Sequence, residues 1–96
     1  MDIHMLITFT TKPEKRSAFA VLLATVRRDL VQAPGCKGVR LFHHRSTPLI
    51  FTLLETWESE SSHRAHVDRL VRSGTWAYIA SHLESEPVSS YCSEQH

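Results

Sequence analysis

The stretch PLIFTLLETWESESSHRAHVDRL, residues 48–70, joins an apolar strand to an amphipathic helix through a short polar turn. Strand side chains alternate between two faces, so one face of this strand carries a single carboxylate, Glu55, in an apolar row. That row comprises Phe51, Leu53, Glu55 and Trp57, and the opposite row comprises Ile50, Thr52 and Leu54. Because a buried carboxylate needs a partner, the strand predicts a polar group inside an apolar interior.

The helix is predicted over residues 59–71, with Ser59 as its amino-terminal cap and Glu60 in its first turn. Helical spacing puts His63, Val67 and Leu70 on one face, and Arg64, Asp68 and Arg72 on the opposite face. His66 follows Trp57 by nine residues and falls at the margin of the buried face. Folded back on the strand, this helix would bring an imidazole, an indole and a carboxylate towards one cavity.

The rest of the chain continues the alternation of strands and helices. Residues 3–10 have the period-two pattern of a strand, and Pro13 opens a long helix. The apolar stripe of that helix comprises Phe19, Leu22, Leu23, Val26, Leu30 and Val31. Pro34 and Gly35 end it, and residues 36–45 form a second strand that pairs with the third in a hairpin. Trp76, Ile79 and Leu83 indicate a further short helix, and Pro87, Val88 and Tyr91 mark a last strand.

This order predicts an α+β fold, a ferredoxin-like βαββαβ plan with an antiparallel sheet, as one domain over residues 1–96. Helices on one side leave the second sheet face open, and that face carries Leu, Ile, Val and Phe. We therefore expect a homodimer in which two copies pack sheet to sheet.

Charge and composition limit the classes of molecule that we expect the protein to bind. Eleven basic residues against ten acidic ones leave a formal net charge of +1, so we expect neither nucleic acid nor a membrane as a partner. The amino terminus lacks a basic signal-like region and the longest nearly apolar run, residues 49–54, is too short to span a bilayer, so a cytoplasmic protein is expected. Two thiols, Cys36 and Cys92, are expected to be free.

Several features, in this order and at these spacings, resemble the antibiotic biosynthesis monooxygenase (ABM) domain family of small dimeric α+β barrels. They are Pro13 at the start of the long helix, Pro34-Gly35-Cys36 before the second strand, Glu55-x-Trp57, His66 on the next helix, and Pro87-x-x-x-Tyr91. The resemblance implies an oxygenase that acts on phenolic or hydroquinone-like substrates with molecular oxygen and without metal or flavin. Other members of the family degrade haem.

The chain departs from two patterns of that family. It contains no asparagine, which both the polyketide-type oxygenases and the haem-degrading branch use. His66 stands where the haem-degrading branch has a tryptophan, and the haem-ligand histidine of that branch would fall near Ile79 or Ala80. Haem degradation and the best-described polyketide mechanism are therefore not expected.

Oxygenation without a cofactor needs a base, an electron-rich anion and a dry pocket. We expect His66 to be the base, Trp57 to stack on an aromatic ring or donate its N–H, and Glu55 to orient a histidine or a substrate hydroxyl. His63, Trp76 and Tyr91 are the expected substrate-binding residues. The expected partners are a small aromatic substrate and O2, with no cofactor and no metal.

Each of these residues has an alternative structural role. Trp57, Trp76 and Tyr91 suit core or dimer packing, and His66 suits a structural histidine. Glu55 could instead pair with Arg40 or Arg45, and His63 with His66 could supply two metal ligands, but no third ligand is evident. At the level of function, the alternatives are a non-catalytic dimeric ligand-binding or accessory module, and an isomerase or cyclase that needs no oxygen.

Overall fold

Helices cover one face of a four-stranded antiparallel sheet in the computed structural model, which describes residues 1–96. The elements, in chain order, are β1 (Ile3–Thr10), α1 (Arg16–Leu30), β2 (Cys36–His43), β3 (Ile50–Trp57), α2 (Glu60–Ser73), α3 (Thr75–Ala80) and β4 (Val88–Cys92). The strands lie in the order β2-β3-β1-β4, and each neighbouring pair is antiparallel. The predicted ferredoxin-like α+β fold is confirmed.

The alternation predicted for β3 decides which residues enter the interior. Its buried residues are Phe51, Leu53, Glu55 and Trp57, and the residues between them are partly exposed. Glu55 lies opposite Val39 on β2 and Met5 on β1, and Met5 lies opposite Tyr91 on β4. One row of the sheet therefore carries Glu55 and Tyr91 on the same side, separated by a methionine.

Helix α1 supplies most of the other half of the core. A 3-10 turn, Pro13–Lys15, precedes it, with the proline at a position where its missing N–H costs nothing. Phe19 is fully buried and meets the rings of Phe9 and Phe51 edge to face, at centroid distances of 5.5 and 5.6 Å. The prediction that Val31 belongs to the apolar stripe is wrong, because α1 ends at Leu30 and Val31 is 46% exposed.

Caps and turns set the ends of the later elements. The Ser59 hydroxyl accepts a hydrogen bond from the Ser62 N–H at 3.2 Å, so the predicted cap of α2 is confirmed. Gly74 has φ of 84°, and this left-handed residue separates α2 from α3. Leu83 lies beyond α3 and bridges to Thr11, so its predicted place inside that helix is wrong. Strand β2 also ends earlier than predicted, at His43.

The second face of the sheet is uncovered in the single chain. Three large apolar residues on it, Leu6, Phe42 and Val88, are exposed. None of the helices combines the length and the hydropathy that a membrane span requires.

Candidate active site

A cavity of about 840 Å³ lies between the covered face of the sheet and the helices. Its walls are mostly hydrophobic side chains from β1, β3, α1, α2 and α3. The apolar lining includes Met5, Ile7, Phe9, Leu23, Val26, Leu30, Leu53, Val67, Leu70, Trp76, Ile79 and Leu83. A space of this size and composition suits a small, largely apolar ligand.

The polar lining of the cavity includes residues of β3, α2 and β4. Glu55, His63, Arg64, His66 and Tyr91 all line it. These groups come together because α2 folds back over the end of β3, while the sheet register places Tyr91 in the same row as Glu55.

Glu55 has two neighbours that can bond to its carboxyl group. The indole N–H of Trp57 donates a hydrogen bond to Glu55 Oε1 at 2.9 Å, and His63 Nε2 lies 3.8 Å from the same oxygen. The predicted alternative, an ion pair with Arg40 or Arg45, is wrong, because neither guanidinium contacts Glu55. The side chain of Arg40 instead packs over the ring of Phe42.

The second nitrogen of His63 is held by the last strand. His63 Nδ1 and the Tyr91 hydroxyl share a hydrogen bond of 2.8 Å, and their rings meet edge to face. The imidazole of His63 therefore lies between a phenol and a carboxyl group, with Trp57 supporting the carboxyl from the strand.

His66 lies in the cavity without such partners. Its ring is half-buried and sits 5.4 Å from the Trp57 ring, but neither of its nitrogens makes a hydrogen bond within the chain. Both nitrogens are consequently available to a ligand.

Burial changes the proton affinity of all three central groups. It raises the pKa of Glu55, although the Trp57 N–H acts in the opposite direction. Burial, with the positive charge of Arg64, lowers the pKa of His63. Burial, with Arg69 and then His63, lowers the pKa of His66. Each shift favours the neutral form of its group.

Trp57 occupies a different place from the one needed to stack on a substrate. Its indole is 0% exposed, belongs to the hydrophobic core and does not line the cavity. It contacts the rings of His63 and His66, and its N–H donates a hydrogen bond to Glu55. The indole thus contacts the polar groups from the core side and not from the cavity. Trp76, by contrast, lines the cavity.

Arg64 lines the cavity although the sequence did not predict it there. Arg64 was assigned to the wet face of α2, and its guanidinium does pair with Glu60 at 3.1 Å. The long side chain nevertheless lines the cavity, and Cζ lies 5.8 Å from the centre of the Tyr91 ring. Helical periodicity assigns a face to Cβ and cannot anticipate where a long side chain ends. No three His, Cys, Asp or Glu side chains are grouped in a way that would hold a metal ion.

Residues 2–70 match the family model described as antibiotic biosynthesis monooxygenase, which is more than half of the chain. The chain belongs to this family. A search of curated proteins found no match. The matched residues include Glu55, Trp57, His63 and His66, whereas Tyr91 lies outside them.

Solved structures of similar proteins have the same fold. A conserved protein from Methanosarcina mazei Go1 is 21% identical with a TM-score of 0.87, covering 99% of this chain and 94% of that one. Rv0793 from Mycobacterium tuberculosis is 17% identical with a TM-score of 0.86, covering 100% and 97%. An asparagine-to-alanine variant of SnoaB, a cofactor-independent oxygenase from Streptomyces nogalater, is 10% identical with a TM-score of 0.84, covering 99% and 94%. At these identities the likeness shows the fold alone.

Proposed function

We propose that this protein is a cofactor-independent monooxygenase that oxidises a small aromatic, phenolic or quinol-type metabolite with molecular oxygen. The observation that carries the proposal is His66, an imidazole without a protein partner in an apolar cavity. Membership of the antibiotic biosynthesis monooxygenase family supports it.

The chemistry requires a base that is neutral and free to act. His66 meets both conditions, because its pKa is lowered by burial and its nitrogens are not engaged by the chain. It removes a proton from the bound substrate and leaves an electron-rich anion in apolar surroundings. The anion reduces O2, and one oxygen atom enters the product as a carbonyl group. The other leaves as water, which takes the proton held by His66 and a second hydrogen lost by the substrate.

Glu55 and Trp57 influence this step through their contacts with the histidines. Trp57 holds the carboxyl group of Glu55 through its N–H, and the indole also packs against both imidazole rings. We assign Trp57 to positioning rather than to substrate stacking. His63, Trp76 and Tyr91 are assigned to binding the substrate, since all three line the cavity.

The alternative is a non-catalytic module that binds a small ligand in the same cavity. A bare scaffold would fill this space with side chains, or would leave it without polar groups. The cavity instead carries two histidines and a carboxyl group at one end, which favours an enzyme.

We also propose that the protein is a cytoplasmic homodimer. Exposed Leu6, Phe42 and Val88 lie on the uncovered sheet face, where a second copy would bury them. Free Cys36 and Cys92 suit a reducing compartment. Light scattering on the purified protein should give twice the chain mass, and Phe42→Glu should shift it towards one chain mass.

The test of the activity is oxygen uptake with a panel of hydroquinones and catechols. The wild-type protein should consume O2, and His66→Ala should reduce the rate about 10²-fold or more, as expected for loss of a general base. His43→Ala is the matched control, because His43 is exposed and lies outside the cavity. Equal uptake by wild type and His66→Ala would remove His66 as the base, and tight binding without any uptake would favour the module.

A further inference from the structure

The chain Tyr91–His63–Glu55 connects the cavity to a buried carboxyl group. Tyr91 is 37% exposed and lines the cavity, so its hydroxyl can reach a ligand. His63 is only 8% exposed and is bonded to that hydroxyl at 2.8 Å. Beyond it, His63 Nε2 lies 3.8 Å from Glu55 Oε1. A shift of about 1 Å closes this last gap to hydrogen-bond distance.

We propose that these three residues form a proton relay, in which Tyr91 delivers a proton to a carbonyl oxygen of the substrate while His66 removes a proton from the adjacent carbon. This deepens the proposed function, on which the role of His66 rests. It makes Tyr91 a second catalytic residue and His63 and Glu55 positioning residues that act through it.

The hydrogen bond between His63 and Tyr91 allows two arrangements, and one of them suits proton delivery. If Nδ1 carries the proton, it donates to the Tyr91 oxygen and leaves the phenol hydrogen free to point into the cavity. Nε2 is then unprotonated and faces Glu55. Burial raises the pKa of Glu55 and lowers that of His63, and both shifts favour the neutral groups that this arrangement requires.

The step balances without an oxidant. His66 takes the proton of the C–H group, and the electron pair of that bond becomes a carbon–carbon double bond. The carbonyl π pair takes the hydroxyl proton of Tyr91. His63 Nδ1 returns a proton to Tyr91, and Glu55 returns one to His63 through Nε2. The product is the enol form of the substrate, with one proton gained by His66 and one lost from Glu55.

The relay specifies a substrate class. The ligand must carry a carbonyl oxygen near Tyr91 and an acidic C–H group near His66, as in a fused cyclic ketone that is the keto form of a phenol. The apolar walls and the volume of about 840 Å³ accommodate two fused rings. The enol or its anion is then the electron-rich species that meets O2.

The test is anaerobic proton exchange, which needs no oxygen chemistry. The probe is 2-tetralone in ²H₂O, and proton NMR follows loss of its acidic C–H signals. The wild-type protein should accelerate exchange above buffer, and Tyr91→Phe should lower the rate about 10²-fold. Tyr78→Phe is the control, because Tyr78 is an exposed tyrosine outside the cavity. His63→Gln should lower the rate as well.

A spectroscopic readout separates the relay from a packing role. Nitrogen-15 NMR of the imidazoles should show His63 protonated at Nδ1 in the wild-type protein, and Tyr91→Phe should change that tautomer without unfolding the chain. Unchanged exchange in Tyr91→Phe, or no wild-type exchange with the probe, overturns the relay. Exchange without oxygen uptake from any hydroquinone or catechol would overturn the oxygenase and leave the relay standing.

Discussion

The Nδ1 atom of His63 and the hydroxyl oxygen of Tyr91 lie 2.8 Å apart, although 28 residues separate them in the chain. This hydrogen bond ties α2 to β4, which lies at the edge of the sheet next to β1. The family match ends at residue 70, so the last strand completes the polar end of the cavity with a residue outside the matched segment.

The first prediction concerns Glu55 and the pH dependence of stability. Burial raises the pKa of Glu55 above its ordinary 4.5, so the folded chain binds this proton more tightly than the unfolded chain. The contribution to the free energy of unfolding is therefore fully present below pH 4.5 and is lost as the pH rises through the raised pKa. Glu55→Gln removes this loss and keeps an acceptor for the Trp57 N–H.

Thermal unfolding of wild type and Glu55→Gln between about pH 4 and 8 measures this effect. The Tm of the variant, relative to wild type, should rise with pH, by about 4–8 °C for each kcal/mol recovered. Titration of His66 affects both proteins, whereas His63 lies 3.8 Å from Glu55 Oε1, so the difference reports the ionisation of Glu55 together with its effect on His63. A difference that does not change with pH would contradict the raised pKa.

The second prediction concerns the acid limb of the pH–rate profile. Burial, Arg69 and His63 lower the pKa of His66 below 6.5, so the neutral base persists below that pH. Arg69→Gln removes one of these causes and should move the acid limb of kcat/KM upwards towards 6.5. Arg69 is exposed, so the shift should be small and should shrink in high salt.

Arg72→Gln is the matched control for this experiment. Arg72 lies on the same helix and pairs with Asp68 at 2.8 Å, and it is not among the groups that lower the pKa of His66. Its replacement should leave the acid limb in place. An equal shift in both variants would indicate a general charge effect rather than a local one.

The third prediction compares two glycines with the same backbone conformation. Gly35 and Gly74 have φ of 85° and 84°, a region that costs other residues about 1–2 kcal/mol. An added Cβ at Gly35 would lie 2.6 Å from the Cβ and Oγ of Ser62, whereas Gly74 has open space around it. Gly35→Ala should therefore destabilise the fold by more than Gly74→Ala.

Urea unfolding of the two alanine variants gives the comparison. The excess cost at Gly35 reports the clash with the first turn of α2, and Gly35→Ala combined with Ser62→Gly should recover part of it. Equal costs at the two positions would show that α2 moves away freely.

The fourth prediction concerns the aromatic centre of the core. Phe19 is fully buried between Phe9 and Phe51, so Phe19→Ala should lower the free energy of unfolding by about 3–5 kcal/mol. Val21→Ala on the same helix is the control, because Val21 is 70% exposed and should change stability by less than about 0.5 kcal/mol. Phe19→Leu provides a milder variant for chemical unfolding if Phe19→Ala does not fold. A cost similar to that of Val21→Ala would contradict the packing of this ring.

The residues of the site were recognisable because they belong to locally regular patterns. Alternation along β3 placed Glu55 and Trp57 on the buried face, and helical spacing placed His63 on the inner face of α2 with His66 at its margin. The cap at Ser59 was also predictable, because its hydroxyl accepts a hydrogen bond from a backbone N–H only three residues further along the chain. Such patterns depend on the geometry of one strand or one helix, which a few neighbouring residues determine.

The sequence by itself determined the order of strands and helices, the buried face of β3 and membership of a recognisable family. Only the tertiary structure decided that Trp57 is buried outside the cavity with its N–H bonded to Glu55, that Arg64 lines the cavity, and that Tyr91 forms a hydrogen bond with His63. These contacts join side chains from separate elements, so they depend on strand register and on how α2 lies across the sheet. Periodicity assigns each residue to one face of its strand or helix. Which side chain it contacts on that face depends on how segments that are distant in the chain pack together.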